Sequence, residues 1–111
     1  MARRVLAVVV ALVAAVWLAT YLTSPAVPPD RPPDVTGVVA GGPEAPALGS
    51  ASDPYYEGMW LLRGDPAVVG ADGRRLDADA LVEGAGVEVW VQGGCAESFP
   101  VQCPVVAVRV R

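Results

Sequence analysis

Polar and apolar positions alternate cleanly in two stretches near the C-terminus. Val87 to Gln92, VEVWVQ, sets Val87, Val89 and Val91 against Glu88, Trp90 and Gln92. Val105 to Arg111, VVAVRVR, sets Val106, Val108 and Val110 against Ala107, Arg109 and Arg111. A period of two is the mark of a half-buried β-strand, so both stretches are predicted as strands, paired antiparallel through residues 93–104. Val35 to Ala40, VTGVVA, is a third candidate strand, followed by a loop, GGPEAPALGSASDP. Tyr56 to Arg63, YEGMWLLR, has no clean polar face and is expected as a central strand covered on both sides. After the turn Gly64-Asp65-Pro66 comes a short strand, Ala67 to Val69, and after Ala71-Asp72-Gly73 the stretch LDADALV over residues 76–82. There Asp77 or Asp79 would cap a single helical turn that Gly84 ends.

The N-terminal pattern is different. From Val5 to Leu22 the chain runs VLAVVVALVAAVWLATYL, 18 residues without a charge. As a helix this run spans roughly 27 Å, close to the hydrocarbon thickness of a bilayer. Arg3 and Arg4 precede it, and Trp17 and Tyr21 lie towards its far end, which favours a cytoplasmic N-terminus and an interfacial aromatic pair. The run is longer than a secretory h-region, and Ser24-Pro25-Ala26 is a poor cleavage site, so a retained signal-anchor is preferred to a cleaved signal. Residues 23–34, TSPAVPPDRPPD, carry five prolines and read as an extended spacer. The remainder, 35–111, is expected to be one small extracytoplasmic domain. Its five strands, with no crossover helix between them, suit a small OB-like, partly open β-barrel; a small open β-sandwich is the runner-up.

Charge narrows the partners. All 12 acidic residues lie beyond residue 25 with 6 of the 8 arginines, a net charge of 6 − 12 = −6, and lysine, histidine and asparagine are absent. That balance argues against nucleic acid and against an anionic membrane surface. It leaves the bilayer, through Val5–Leu22, and an extracytoplasmic protein or envelope component as the expected partners. Without histidine there is no imidazole base, and Ser98 has no nucleophile-elbow context, so no catalytic activity, cofactor or metal is expected. Asp72, Asp77 and Asp79 are spaced loosely like calcium ligands but break the loop pattern.

Cys95 and Cys103 enclose seven residues between the two clearest strands. In an oxidising compartment two cysteines make one bond, and cross-strand neighbours at a hairpin neck come within disulfide range. A redox dithiol would normally be C-x-x-C, and a zinc site would need two further ligands. A structural clasp is therefore the preferred reading, ahead of a redox or metal role. Inside the clasp, Glu97-Ser98-Phe99-Pro100 admits two readings. Phe99 and Glu97 form an interaction loop, or Phe99 plugs the end of the barrel while Ser98 and Pro100 shape the turn. The plug is preferred, since a lone aromatic in a small domain is usually core. Trp60 and Trp90 are a candidate aromatic surface, with burial the preferred alternative.

The stretch VEVWVQGGCAESFPVQCPVVAVRV is similar to the C-terminal signature of the YobA-like family of small exported proteins of unknown function. The resemblance rests on Val87, Val89, Trp90, Gly93 or Gly94, Glu97, Ser98, Phe99 and Pro100, then Val106 to Val110, with Leu81, Gly84 and Val87 as a lead-in. It covers residues 80–110 and implies an exported OB-like barrel without implying an activity. A secreted domain with a small-molecule, ion or redox-responsive role is the alternative function.

Overall fold

Residues 28–111 are described by a computed structural model; the apolar run Val5–Leu22 lies outside them. Among the described residues no helix is long and apolar enough to cross a membrane. The chain is mainly β. Five strands, β1 (Val35–Ala40), β2 (Ala47–Gly49), β3 (Ala67–Val69), β4 (Gly86–Val91) and β5 (Val105–Val110), form one mixed sheet in the order β2-β1-β4-β5-β3. The β3/β5 pair is parallel and the others antiparallel. No ladder joins β2 to β3, so the sheet is not closed.

β1 serves two neighbours. Its first residues pair with β4, Val35 opposite Val89, and its last with β2, Ala40 opposite Ala47. Gly37 makes this possible. A Cβ there would stand 2.5 Å from the Gly49 carbonyl oxygen and 2.9 Å from Leu48 Cδ1. Only a residue without a side chain lets β2 approach so closely that Leu48 is fully buried. The core then collects Val35, Val39, Leu48, Met59, Leu61, Leu81, Val87, Val89, Val105 and Val108 from elements spread over the whole domain.

The predicted strand over Tyr56–Arg63 is not formed. Pro54–Tyr56 is instead a 3₁₀ turn, because Asp53 accepts the Tyr55 amide at its N-cap and Pro54 supplies a preset φ. Gly58, at φ +80°, then redirects the chain. Residues 58–61 run beside β2 as an irregular edge, with Leu48 N donating to Met59 O and Gly58 N to Leu48 O. Met59 and Leu61 point inward, as one face of a strand would, while Trp60 is exposed. β2 itself lies within the stretch expected as a loop.

Two smaller corrections have clear causes. A β-bulge falls where Trp90 faces Ala107 and the next residue, Val91, faces Val105. It leaves Val106 unpaired and 38% exposed and turns Val105 inward, so the strict alternation predicted for β5 breaks there. The helical turn expected over 76–82 is a 3₁₀ turn of three residues, Ala78–Ala80, with Asp77 at its N-cap making no side-chain bond.

The described part of the proline-rich segment is attached to the sheet. Trp90, buried on the side of β4 away from the core, donates from Nε1 to Arg31 O at 2.9 Å. Asp34 gives its amide to Val89 O and receives the Val91 amide on Oδ2. Arg31 bridges Asp34 and Val91 O. The Arg109 guanidinium lies over the indole, 5.1 Å from the ring centroid, itself paired with Glu88. Residues 28–34 thus form a strap across the outer face of β4.

Candidate functional site

Cys95 and Cys103 are joined by a disulfide with their Cα atoms 4.1 Å apart. Cys103 is fully buried beside Val101 and Val105, which fastens one end of the loop to the core. Within the loop, Ala96 N donates to Gln102 O at 2.7 Å and Gln102 N returns to Ala96 O at 3.2 Å. Ser98 Oγ donates to Pro100 O at 2.7 Å, closing the tip on itself. Ser98 therefore shapes the turn, as one of the two sequence readings had it.

Phe99 does not plug the sheet: its side chain is fully exposed. Val101 and Cys103, not Phe99, are the side chains of this segment that enter the core. Phe99 stands instead on the rim of a groove of about 900 Å³. The opposite rim is the 3₁₀ turn, through Pro54, Tyr55, Glu57 and Gly58. The two rims fit closely at Gly58, where an added Cβ would stand 3.1 Å from Pro100 Cβ. Tyr55 OH donates to Glu97 Oε1 at 2.8 Å, tying rim to rim. Tyr56 packs edge-on against the Tyr55 ring with centroids 4.9 Å apart, which fixes its orientation.

The sequence reading singled out Glu97, Ser98, Phe99 and Pro100 but missed Tyr55. The S-D-P triplet before Tyr55 was its signal, as an N-cap followed by proline, and would have turned the segment from strand to 3₁₀ turn. The structure does not bring Trp60 and Trp90 together as one surface. Trp90 is buried beneath the strap, whereas Trp60 is 55% exposed in a separate groove of about 440 Å³ with Pro46, Leu62, Arg63 and Gln102. Gln102 links that groove to the loop by accepting the Trp60 amide at 3.3 Å. Among the described residues no three histidine, cysteine, aspartate or glutamate side chains converge on a metal position. Asp72 is engaged locally, accepting the Arg74 amide.

The hydrogen bond to Glu97, then slight desolvation and the negative charge of Glu97, hold the Tyr55 phenol above its ordinary pKa. The bond exists only while the phenol keeps its proton. It supports the folded loop below the unfolded value of about 10, and that support is lost as the pH rises through the folded value. Glu97→Gln is expected to bring Tyr55 back towards the ordinary value while leaving Tyr56, raised mainly by burial, where it is. Ring-carbon shifts followed against pH measure both; an unchanged Tyr55 titration in the variant would show that the bond does not form.

No family model, curated protein or solved structure matches the chain.

Proposed function

We propose that this chain is a non-catalytic binding module displayed on the outer side of a membrane, with the disulfide-clamped loop as its contact surface. One observation carries the reading: Phe99 is fully exposed on a loop fastened at its neck, and Tyr55 faces it across an open groove. An exposed aromatic on a pre-ordered loop loses little entropy when it meets a partner. The disulfide favours an oxidising compartment. Arg3 and Arg4 before the run Val5–Leu22 favour export of the C-terminal domain with the run retained as an anchor. The non-catalytic part of the reading rests on the absence of histidine and of any nucleophile motif in the sequence.

The architecture reads as an OB-like barrel left open between β2 and β3. The strand order and the parallel β3/β5 pair support this, as does the irregular edge 58–63, which lies in the gap: it pairs with β2 at Leu48, and Arg63 O receives the Val105 amide. The resemblance to the YobA-like proteins points the same way.

Photocrosslinking in intact cells tests the function. A photoreactive phenylalanine analogue at position 99 should give a discrete adduct that the same analogue at Val82, exposed away from the loop, does not. Identical adduct patterns at the two positions, or none at position 99, would refute the loop as a contact surface.

A further inference from the structure

The surfaces of the sheet are unequally available. The outer edge of β2 is taken by residues 58–61, with Leu61 N donating to Pro46 O at 3.0 Å. The outer edge of β3 is taken by residues 74–76, with Leu76 N donating to Val68 O and Gly70 N to Arg74 O, both at 2.8 Å. A partner strand therefore finds no open ladder at either edge. The outer face of β4 carries the strap. Among the described residues nothing comparable covers the Tyr55–Phe99 groove.

Its walls are mostly apolar; besides two carboxylates they carry the Ser98 and Tyr55 hydroxyls, which donate to Pro100 O and Glu97 Oε1. Pro54, Pro100 and Val101 supply the aliphatic surface and Tyr55 and Phe99 the rings. Among the described residues the charged ones lining it are Glu57 and Glu97, with no arginine. Both oxygens of Glu57 are engaged by the chain itself, accepting the Ser50 and Ala51 amides at 3.0 and 2.8 Å. Glu97 is half occupied: Oε1 holds the Tyr55 hydroxyl, and Oε2 has no hydrogen-bond partner among the described residues. A carboxylate with an open oxygen, set among aromatic rings whose faces are electron-rich, is complementary to a cation. The net charge of −6 over residues 25–111 draws cationic groups towards the domain at long range.

We infer that the groove docks an extended segment of a partner protein that carries one arginine or lysine among prolines and aliphatic residues. The cation meets Glu97 Oε2 and the ring faces of Tyr55 and Phe99, and its apolar neighbours lie on Pro54, Pro100 and Val101. A groove of about 900 Å³ takes a few residues of extended chain, and proline-rich segments reach such aromatic grooves with little conformational entropy to lose. This assignment of partner chemistry rests on the proposal that the loop is a contact surface.

The test uses the full chain in detergent and two fluorescent peptides, one rich in proline and leucine with a single arginine, the other with citrulline in that arginine's place. The arginine peptide should bind about fivefold tighter or more. The advantage should vanish in Glu97→Gln and shrink as salt is raised, and Phe99→Ala should weaken both peptides. Phe99 is fully exposed, so Phe99→Ala should keep its melting temperature, and Glu97→Gln, whose amide oxygen can still accept the Tyr55 hydroxyl, should lower it only slightly. Equal affinity for the two peptides overturns the cation assignment, and so does binding of neither. The crosslinking experiment at position 99 then decides separately whether the groove is a docking surface at all.

Discussion

Replacing Trp90 by alanine is expected to cost about 3–5 kcal/mol of folding stability, the usual range for removing a buried aromatic. Three layers fail together. The indole is buried, held by the strap at Nε1 and overlaid by Arg109, so its loss leaves a cavity in a small domain. Arg31 O loses its donor. The Arg109 guanidinium loses its ring, a contribution of about 0.5–1 kcal/mol at a partly exposed site. Trp90→Phe separates these effects: it keeps most of the volume and removes the hydrogen bond, so a smaller loss is expected. Urea unfolding followed by circular dichroism gives the free energies. Hydrogen exchange at Val91, whose amide donates to Asp34 Oδ2, reports whether the strap is still attached. Trp90→Ala should speed that exchange well beyond what global destabilisation explains. A loss below about 1 kcal/mol, with slow Val91 exchange, would mean that the strap holds without the indole and that Trp90 is not its anchor.

Removing the disulfide is expected to have the second largest effect. Closing a ring of about nine residues lowers the entropy of the unfolded chain by an amount worth roughly 2.5 kcal/mol. In a domain of this size each kcal/mol shifts the melting temperature by about 4–8 °C, so reduction should lower it by about 10–20 °C. The Cys95→Ala, Cys103→Ala double variant should fall at least as far, because Cys103 is fully buried and its sulfur fills core volume. Amide spectra with and without reductant distinguish a clasp for the fold from a clasp for the loop. Loss of dispersion throughout assigns the bond to the fold. Shifts confined to residues 93–104, with the melting temperature unchanged, would refute the stability prediction and leave the bond the narrower task of presenting Phe99.

The sequence reveals the strands whose side chains alternate locally and those set off by clear turn signals. β1 and β3 fall where the pattern places them, and β4 and β5 within a residue of it at each end. β2 escapes detection because Ala47–Gly49 lies inside a run of glycine, proline and small residues, whereas the equally short β3 is marked off by the turns Gly64-Asp65-Pro66 and Ala71-Asp72-Gly73. What makes them a strand is Leu48, buried only because Gly37 on β1 lets it in. The segment 56–63 misleads for the opposite reason: a run of large apolar residues resembles a strand, yet Asp53-Pro54 starts a 3₁₀ turn and Gly58 breaks the extended path. The candidate site was legible in part. Its loop stood out through the paired cysteines and the Glu-Ser-Phe-Pro tetrapeptide. The orientation of Phe99 and its meeting with Tyr55 did not, since Tyr55 and Glu97 are 42 residues apart in the chain.

The sequence by itself determined the β class, the four strands marked by alternation or turn signals, the acidic balance and the pairing of the two cysteines. These follow from periodicity, composition and counting, which need no knowledge of what lies across the core. The tertiary structure decided the rest. It left Phe99 outward while burying Val101 and Cys103 of the same segment, buried Trp90 under the strap, and switched Val105 and Val106 between faces through one bulge. In each case the outcome is set by contacts made only in the folded domain, and a local pattern of polar and apolar positions carries no record of them.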